Sequence, residues 1–317
     1  MQIEAINQAS NVYQTNLENG GLEFFKSRSI AEDTVMAWKL GFAPSKYDFG
    51  PSPQEELKRY GLLNDKGRPR FFDRAMFPIL NAESEVVSFG GRSMVNSPEV
   101  PKYLNGPETD VYHKSQMLYG MDKVKQQISE KTRLVDNAMI LLTEGYLDVL
   151  QVWQAGYKNV VGSCGTAFTK EQMQFLADLS DNLSIMYDGD KAGRRESIKA
   201  AATSIHYGIF PQIIELPEGM DADDIARERG LDGIEELIEF SSFSLAEYIS
   251  RNLQSREIPR LTKAIEFCVS AIAKCPIPLT RIKLIDDTAY YFGFQRSHVS
   301  EYVDIQVQKN QKSVIEC

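Results

Sequence analysis

The sequence predicts an α/β chain, α+β taken as a whole, with a central parallel sheet between a mixed α+β segment and a helical one. Three observations predict it. Between residues 138 and 216 four apolar runs (AMILLT, NVVGS, LSIMY and QIIEL) alternate with helical stretches. Strands apolar throughout, spaced this way, belong to a parallel sheet covered on both faces. Ahead of them MFPIL (76–80) and VVSF (86–89) flank a polar turn at 81–85, the pattern of a hairpin. From Asp223 onward the chain reads as almost wholly helical.

The elements follow in order. Residues 1–40 carry apolar positions at helical spacing (Val12, Leu17, Leu22, Phe25, then Val35, Trp38, Leu40), and Gly20-Gly21 breaks one helix from the next. Residues 43–56 are a Pro/Ser/Gly-rich loop, followed by a short helix near Glu55–Tyr60 and a turn at 64–67. Residues 93–113, with Pro98, Pro101 and Pro107, read as loop. Helices are expected at Tyr146–Gln154, from Thr169 to about Leu179, and at Ala192–His206. The C-terminal segment suggests a bundle of about three helices, two of them parted by Pro276-Ile277-Pro278.

Composition excludes several classes. No apolar run approaches the roughly 18 residues of a transmembrane helix, and the N-terminus lacks a signal sequence, so a cytoplasmic chain without membrane attachment is expected. Four cysteines and three histidines neither pair nor cluster, which argues against a disulfide framework and a structural zinc site. Cys164 reads as a small buried hydrophobe, not a nucleophile. The net charge of −9 disfavours a wholly nucleic-acid-gripping surface. Yet residues 58–133 hold 13 Lys and Arg against 9 Asp and Glu, and the remainder 22 against 35. A basic segment precedes an acidic one.

In an open parallel sheet, ligands sit beyond the carboxyl ends of the strands. There this sequence places Glu144-Gly145 with Asp148, then Asp188-Gly189-Asp190, then Asp221, Asp223 and Asp224. One such acid is ordinarily a helix cap. Three successive acidic strand ends would repel one another, and a divalent cation with hard oxygen ligands is the usual compensation. Magnesium fits that chemistry, and Gly145 and Gly189 permit close backbone approach.

EGYLDV (144–149) with YDGDKAG (187–193) is similar to the Toprim signature, a Glu on one strand and DxD on another. RFFDRAMFPI (70–79), SFGGR (88–92), PKYLNGPETDVYHK (101–114), LYG (118–120) and the opening through AWKLGFAPS resemble the DnaG-type primase catalytic core. The likeness covers roughly residues 9–230 in the family's order.

That resemblance implies a fold: an N-terminal basic α+β subdomain (1–134), a Toprim α/β metal-binding subdomain (135–240) and a C-terminal helical subdomain (241–317). It implies that Glu144, Asp188 and Asp190 are the principal catalytic, metal-binding acids, and that Asp148, Asp221 and Asp223 help hold further ions, two or three Mg2+ or Mn2+ in all. Arg74, Arg92, Lys102, Tyr103, Asn105 and Lys114 fall on motifs that contact template or nucleotide, and Lys191 lies beside the acids. The implied activity is a nucleotidyltransferase making RNA primers for replication. Its partners would be single-stranded DNA, ribonucleoside triphosphates and the primer–template hybrid.

Full-length members carry a zinc-binding and a helicase-binding module. Neither is evident here, so contact with a replicative helicase would need a domain this chain lacks, no zinc is expected in it, and a monomer is expected. The acids alone serve a Toprim-type metal-dependent nuclease equally well. The basic motifs at 70–114 favour the polymerase, and the intact acids disfavour a non-catalytic nucleic-acid-binding scaffold.

Overall fold

The computed structural model describes residues 4–95, 97–130, 139–163, 168–253 and 257–315. Cys164 and the 134–135 boundary therefore lie outside the described residues. The chain divides into two compact units: Met1–Gln127 with Gly145–Thr166, and Ile128–Glu144 with Ala167–Cys317.

In the first unit, α1 (Glu4–Thr15) turns Ala5, Ile6, Ala9 and Tyr13 inward, at the three- and four-residue steps of one helix face. Gly20, at φ 116°, adopts a conformation costly for any other residue and opens α2 (Gly21–Ser27). Then come α3 (Glu32–Ala37), β1 (Gly41–Ala43) and α4 (Gln54–Arg59). The expected hairpin is β2 (Arg74–Leu80) and β3 (Val86–Ser93). Its turn is shaped by Asn81, whose Oδ1 accepts the Glu83 and Glu85 N–H groups at 3.1 and 2.9 Å.

The proline-rich stretch read as loop contains a third full partner, β4 (Tyr103–Asn105), which pairs antiparallel with β3, Arg92 opposite Tyr103. The sheet order is β1-β2-β3-β4. Its core gathers round Tyr13, edge-on to Tyr47, Phe49 and Phe89 at ring distances of 5.6, 5.9 and 5.1 Å. The helix α5 (Met121–Glu130) leads out of the unit to β5 (Ile140–Thr143). The chain returns with α6 (Tyr146–Ala155) and β6 (Val160–Gly162), and Gly162 exchanges backbone bonds with Tyr119 at 2.9 and 3.0 Å.

The second unit holds β5, α7 (Lys170–Leu179), β7 (Leu183–Ile185), α8 (Lys191–Ile205) and β8 (Gln212–Ile214). β5, β7 and β8 are parallel neighbours. After α9 (Ala222–Phe240), kinked at Gly230, β9 (Ser242–Ser244) joins β8 antiparallel. This strand lies in a stretch read as helix. Three-residue strands are too short to show alternation, and their pairing comes from the neighbour.

Among the described residues the tail holds four helices where about three were expected: α10 (Leu245–Arg251), α11 (Ile258–Ile272), α12 (Pro278–Phe292) and α13 (Arg296–Ile315). Ala246, Ala264, Cys268 and Phe292 form their core. Pro276 and Pro278 part α11 from α12 as expected. Among the described residues no helix is long and apolar enough to cross a membrane.

Candidate active site

In the second unit the acids stand where the parallel strands end. Glu144 follows β5, and its Oε1 accepts the Asp188 N–H beyond β7 at 3.1 Å. Asp190 caps α8, its Oδ1 accepting from Ala192 and Gly193, both at 2.8 Å. Asp221 caps α9 in a reciprocal box: its Oδ1 accepts from the Asp224 N–H at 2.8 Å, and Asp224 Oδ2 accepts from the Asp221 N–H at 3.3 Å. Asp223, in the first turn of α9, is buried at 6% exposure.

The electrostatics are those of crowded anions. Burial raises the Glu144 carboxyl above its ordinary value; repulsion from Asp190, Glu196 and Asp221 adds to this, and the Asp188 N–H opposes it. Burial likewise raises Asp221, with Asp224 adding repulsion and Arg227 opposing. Arg227 is paired with Asp224 at 2.6 Å. Lys191 is exposed at the start of α8. Glu196 was not singled out by sequence reasoning; it is drawn to Lys199 at 2.8 Å and Arg195 at 3.3 Å.

The donor set is wholly carboxylate oxygen, the chemistry that hard divalent cations take. As the side chains stand, no group of three or more His, Cys, Asp or Glu among the described residues is arranged to hold an ion. Glu144, Asp190 and Asp221 each accept a backbone N–H with one oxygen. Asp190 spends only Oδ1 on its cap, so Oδ2 takes no part in it.

The basic motifs lie in the first unit and divide by role. Arg74 is 4% exposed, with Nη1 donating to the Gly91 and Pro101 carbonyls, each at 3.0 Å, and burial lowers its pKa. It braces the sheet. Arg92 is held between rings, 5.5 Å from the Phe24 centroid and 5.6 Å from that of Tyr103. Lys102 is exposed, its Nζ 6.0 Å from the Tyr103 ring. Arg92 and Lys102 line a groove of about 710 Å³ together with Phe24, Arg28, Val95 and Val100.

Arg28 and Phe24 were missed by sequence reasoning, because nothing in FFKSRS marks which side chains reach a groove built by a distant strand. Asn105 Oδ1 accepts from the Tyr146 hydroxyl at 2.8 Å. Lys114 lies in a 3-10 turn away from the groove lining, its backbone N–H donating to Glu108 at 3.0 Å. Asp148 belongs to this unit, where it accepts the Gly145 N–H at 2.7 Å and closes the start of α6.

Comparison with known proteins places the geometry in context. Residues 9–125 match the family model described as DNA primase catalytic core, N-terminal domain, and residues 141–226 match a Toprim-like model. The chain is 35% identical over 245 residues to the DNA primase of Escherichia coli K12, across 72% of this chain and 41% of that protein. It is 30% identical over 291 residues to the DNA primase of Lactococcus lactis, across 86% of this chain and 44% of the relative. The chain thus spans less than half the length of these curated relatives.

Among solved structures, a DNA primase domain from Pseudomonas aeruginosa superposes with a TM-score of 0.81 at 27% identity, covering 94% of this chain and 98% of that one. A DnaG primase catalytic domain bound to ssDNA gives 0.81 at 28%, covering 93% and 97%.

Proposed function

Because the chain belongs to the DnaG-type DNA primase catalytic-core family, we propose that it is an RNA polymerase that lays short primers on single-stranded DNA. One observation carries this reading: Glu144, Asp188 with Asp190, and Asp221 stand beyond the carboxyl ends of three adjacent parallel strands. The reaction joins a primer 3′-hydroxyl to the α-phosphorus of a ribonucleoside triphosphate and releases pyrophosphate.

The carboxylates fit magnesium or manganese, two or three ions, with Glu144, Asp188 and Asp190 as principal holders and Asp221 and Asp223 in support. Such ions, when bound, activate the attacking oxygen and stabilise the leaving pyrophosphate. The chain's own residues do the rest. Glu144 holds the Asp188 peptide and so fixes where the second acid begins. The caps on α8 and α9 hold Asp190 and Asp221 in place. In the first unit, Arg28, Arg92 and Lys102 give the groove three cations for the phosphates of template or nucleotide, with Phe24 an aromatic floor.

The test is incorporation of labelled ribonucleotides on a single-stranded DNA template with Mg2+ or Mn2+, and with EDTA as control. Short RNA products that require the metal and vanish in Asp190→Ala are expected. Template degradation in place of synthesis would overturn the polymerase reading in favour of a nuclease.

A further inference from the structure

Gly189 sits between the two aspartates of the Asp188-Gly189-Asp190 turn, and its lack of a Cβ leaves its backbone the freest of the three. The structure removes that freedom by clamping both of its peptide groups. The Gly189 N–H donates to the Met220 carbonyl at 2.9 Å. Its carbonyl accepts from Arg194 Nη2, also at 2.9 Å. Its Cα lies so close to the turn before Asp221 that a Cβ would come within 2.1 Å of the Pro217 oxygen.

Each peptide group is planar. Fixing the N–H fixes the plane shared with Asp188, and fixing the C=O fixes the plane shared with Asp190. The first bond reaches back to the loop carrying Asp221. The second depends on one side chain.

We propose that Arg194 is a positioning residue: through the Gly189 carbonyl it sets the spacing of Asp188 and Asp190, and thereby their affinity for a divalent cation. The inference rests on the reading of these acids as metal holders. Arg194 is built for the task. It stands in the first turn of α8, its own N–H donating to the Asp190 carbonyl at 3.1 Å, so side chain and backbone grip the two ends of the same short segment.

Its Nε is buried without a hydrogen-bond partner. An unmet buried donor is destabilising, so the side chain is not placed to satisfy its own hydrogen bonds. The contact it makes at the acid turn is with the backbone, at the Gly189 carbonyl.

The experiment measures Mn2+ binding to the full chain by electron paramagnetic resonance, without nucleotide or DNA, for the unmodified protein and for Arg194→Ala, Arg194→Lys and Arg194→Gln. Removing an outer partner of a metal ligand typically weakens metal affinity about tenfold or more. A loss of about that size is expected in Arg194→Ala, with partial recovery in Arg194→Lys, which can still reach one carbonyl but lacks the planar fork. RNA synthesis should lose kcat with little change in KM for template. Arg195→Ala, on the exposed neighbour, should bind Mn2+ like the unmodified chain.

Should Arg194→Ala not fold by circular dichroism, Arg194→Lys and Arg194→Gln carry the comparison. Unchanged Mn2+ affinity in the folded variants overturns the positioning role alone. Absence of Mn2+ binding by the unmodified chain overturns the reading of the acids, and this inference with it.

Discussion

The Tyr146 hydroxyl donates to Asn105 Oδ1 at 2.8 Å, joining the first residue of α6 to the last residue of β4. The ring lies stacked on Phe77 at 4.9 Å and edge-on to Tyr119 at 4.8 Å. Gly90 leaves room for it, since a Cβ there would come within 2.4 Å of the phenol. Tyr146 of the EGYLDV motif and Asn105 of YLN are therefore packed together in the first unit. Tyr146→Phe should cost about 1 kcal/mol, the net worth of one hydrogen bond. Gly90→Ala should cost about 1–3 kcal/mol through overpacking. Urea unfolding of the two variants checks the order, and equal midpoints would show that the pocket yields.

The cations of the first unit should separate by function. Arg74→Ala leaves the Gly91 and Pro101 carbonyls without their donor and should destabilise by about 1–3 kcal/mol. Lys102→Ala removes an exposed groove charge and should leave stability within about 0.5 kcal/mol. Binding of single-stranded DNA should show the reverse order. For Lys102→Ala the salt slope of log K should fall by about 0.7, the loss of one phosphate contact on a single strand. A slope unchanged from the unmodified protein would reduce Lys102 to a solvated surface charge.

How much of this was legible in the sequence depended on the range of the signal. The acids announced themselves because strand ends and their turns are local: Glu144 and Asp188 follow an apolar run directly, Asp190 two residues on, and Asp221 after a four-residue turn. The β2–β3 hairpin was legible for the same reason. The strands β1, β4 and β9 were not, because none stands in an apolar run and each owes its conformation to its partner, about 30 residues away for β1 and β9 and 11 to 15 for β4.

The roles of the arginines were opaque too. Arg74 and Arg92 occupy similar motif positions on paired strands, yet one braces carbonyls in the core and the other lies between rings at the groove. Residue type gives the charge; only the fold gives its surroundings. Phe24 and Arg28 reach the same groove from α2 and the residue that caps its end, where the sequence signals only burial on one face.

His206 should contribute to the acid sensitivity of the second unit. Burial lowers the His206 pKa, and the nearby Lys274 and Lys170 lower it further. The folded chain then holds this ring neutral at a pH where the unfolded chain has already bound a proton. Unfolding takes up protons in that window, so stability is unaffected above the ordinary histidine value of 6.5 and falls as pH drops from there toward the lowered folded pKa. His206→Gln should flatten this part of the profile. Thermal unfolding between about pH 7 and pH 5 measures it, and identical slopes for both proteins would remove His206 as the source.

Gly193 tests how tightly the acid turn is built. A Cβ there would come within 2.2 Å of the Asp188 oxygen and 2.8 Å of its nitrogen, both backbone atoms that cannot rotate away. Gly193→Ala must therefore displace Asp188 or the start of α8, where Asp190 accepts the Gly193 N–H. Alanine favours a helix intrinsically over glycine by roughly 1 kcal/mol, which offsets part of the strain. The net effect on stability should accordingly be modest, about 1–3 kcal/mol at most. The effect on chemistry should not be modest, since a displacement near 1 Å in a catalytic constellation can cost about a hundredfold in rate. Primer synthesis by Gly193→Ala, measured beside its urea midpoint, should show a large loss of kcat in a folded protein. Activity within a fewfold of the unmodified chain would mean that Asp188 tolerates movement and does not hold the reacting groups.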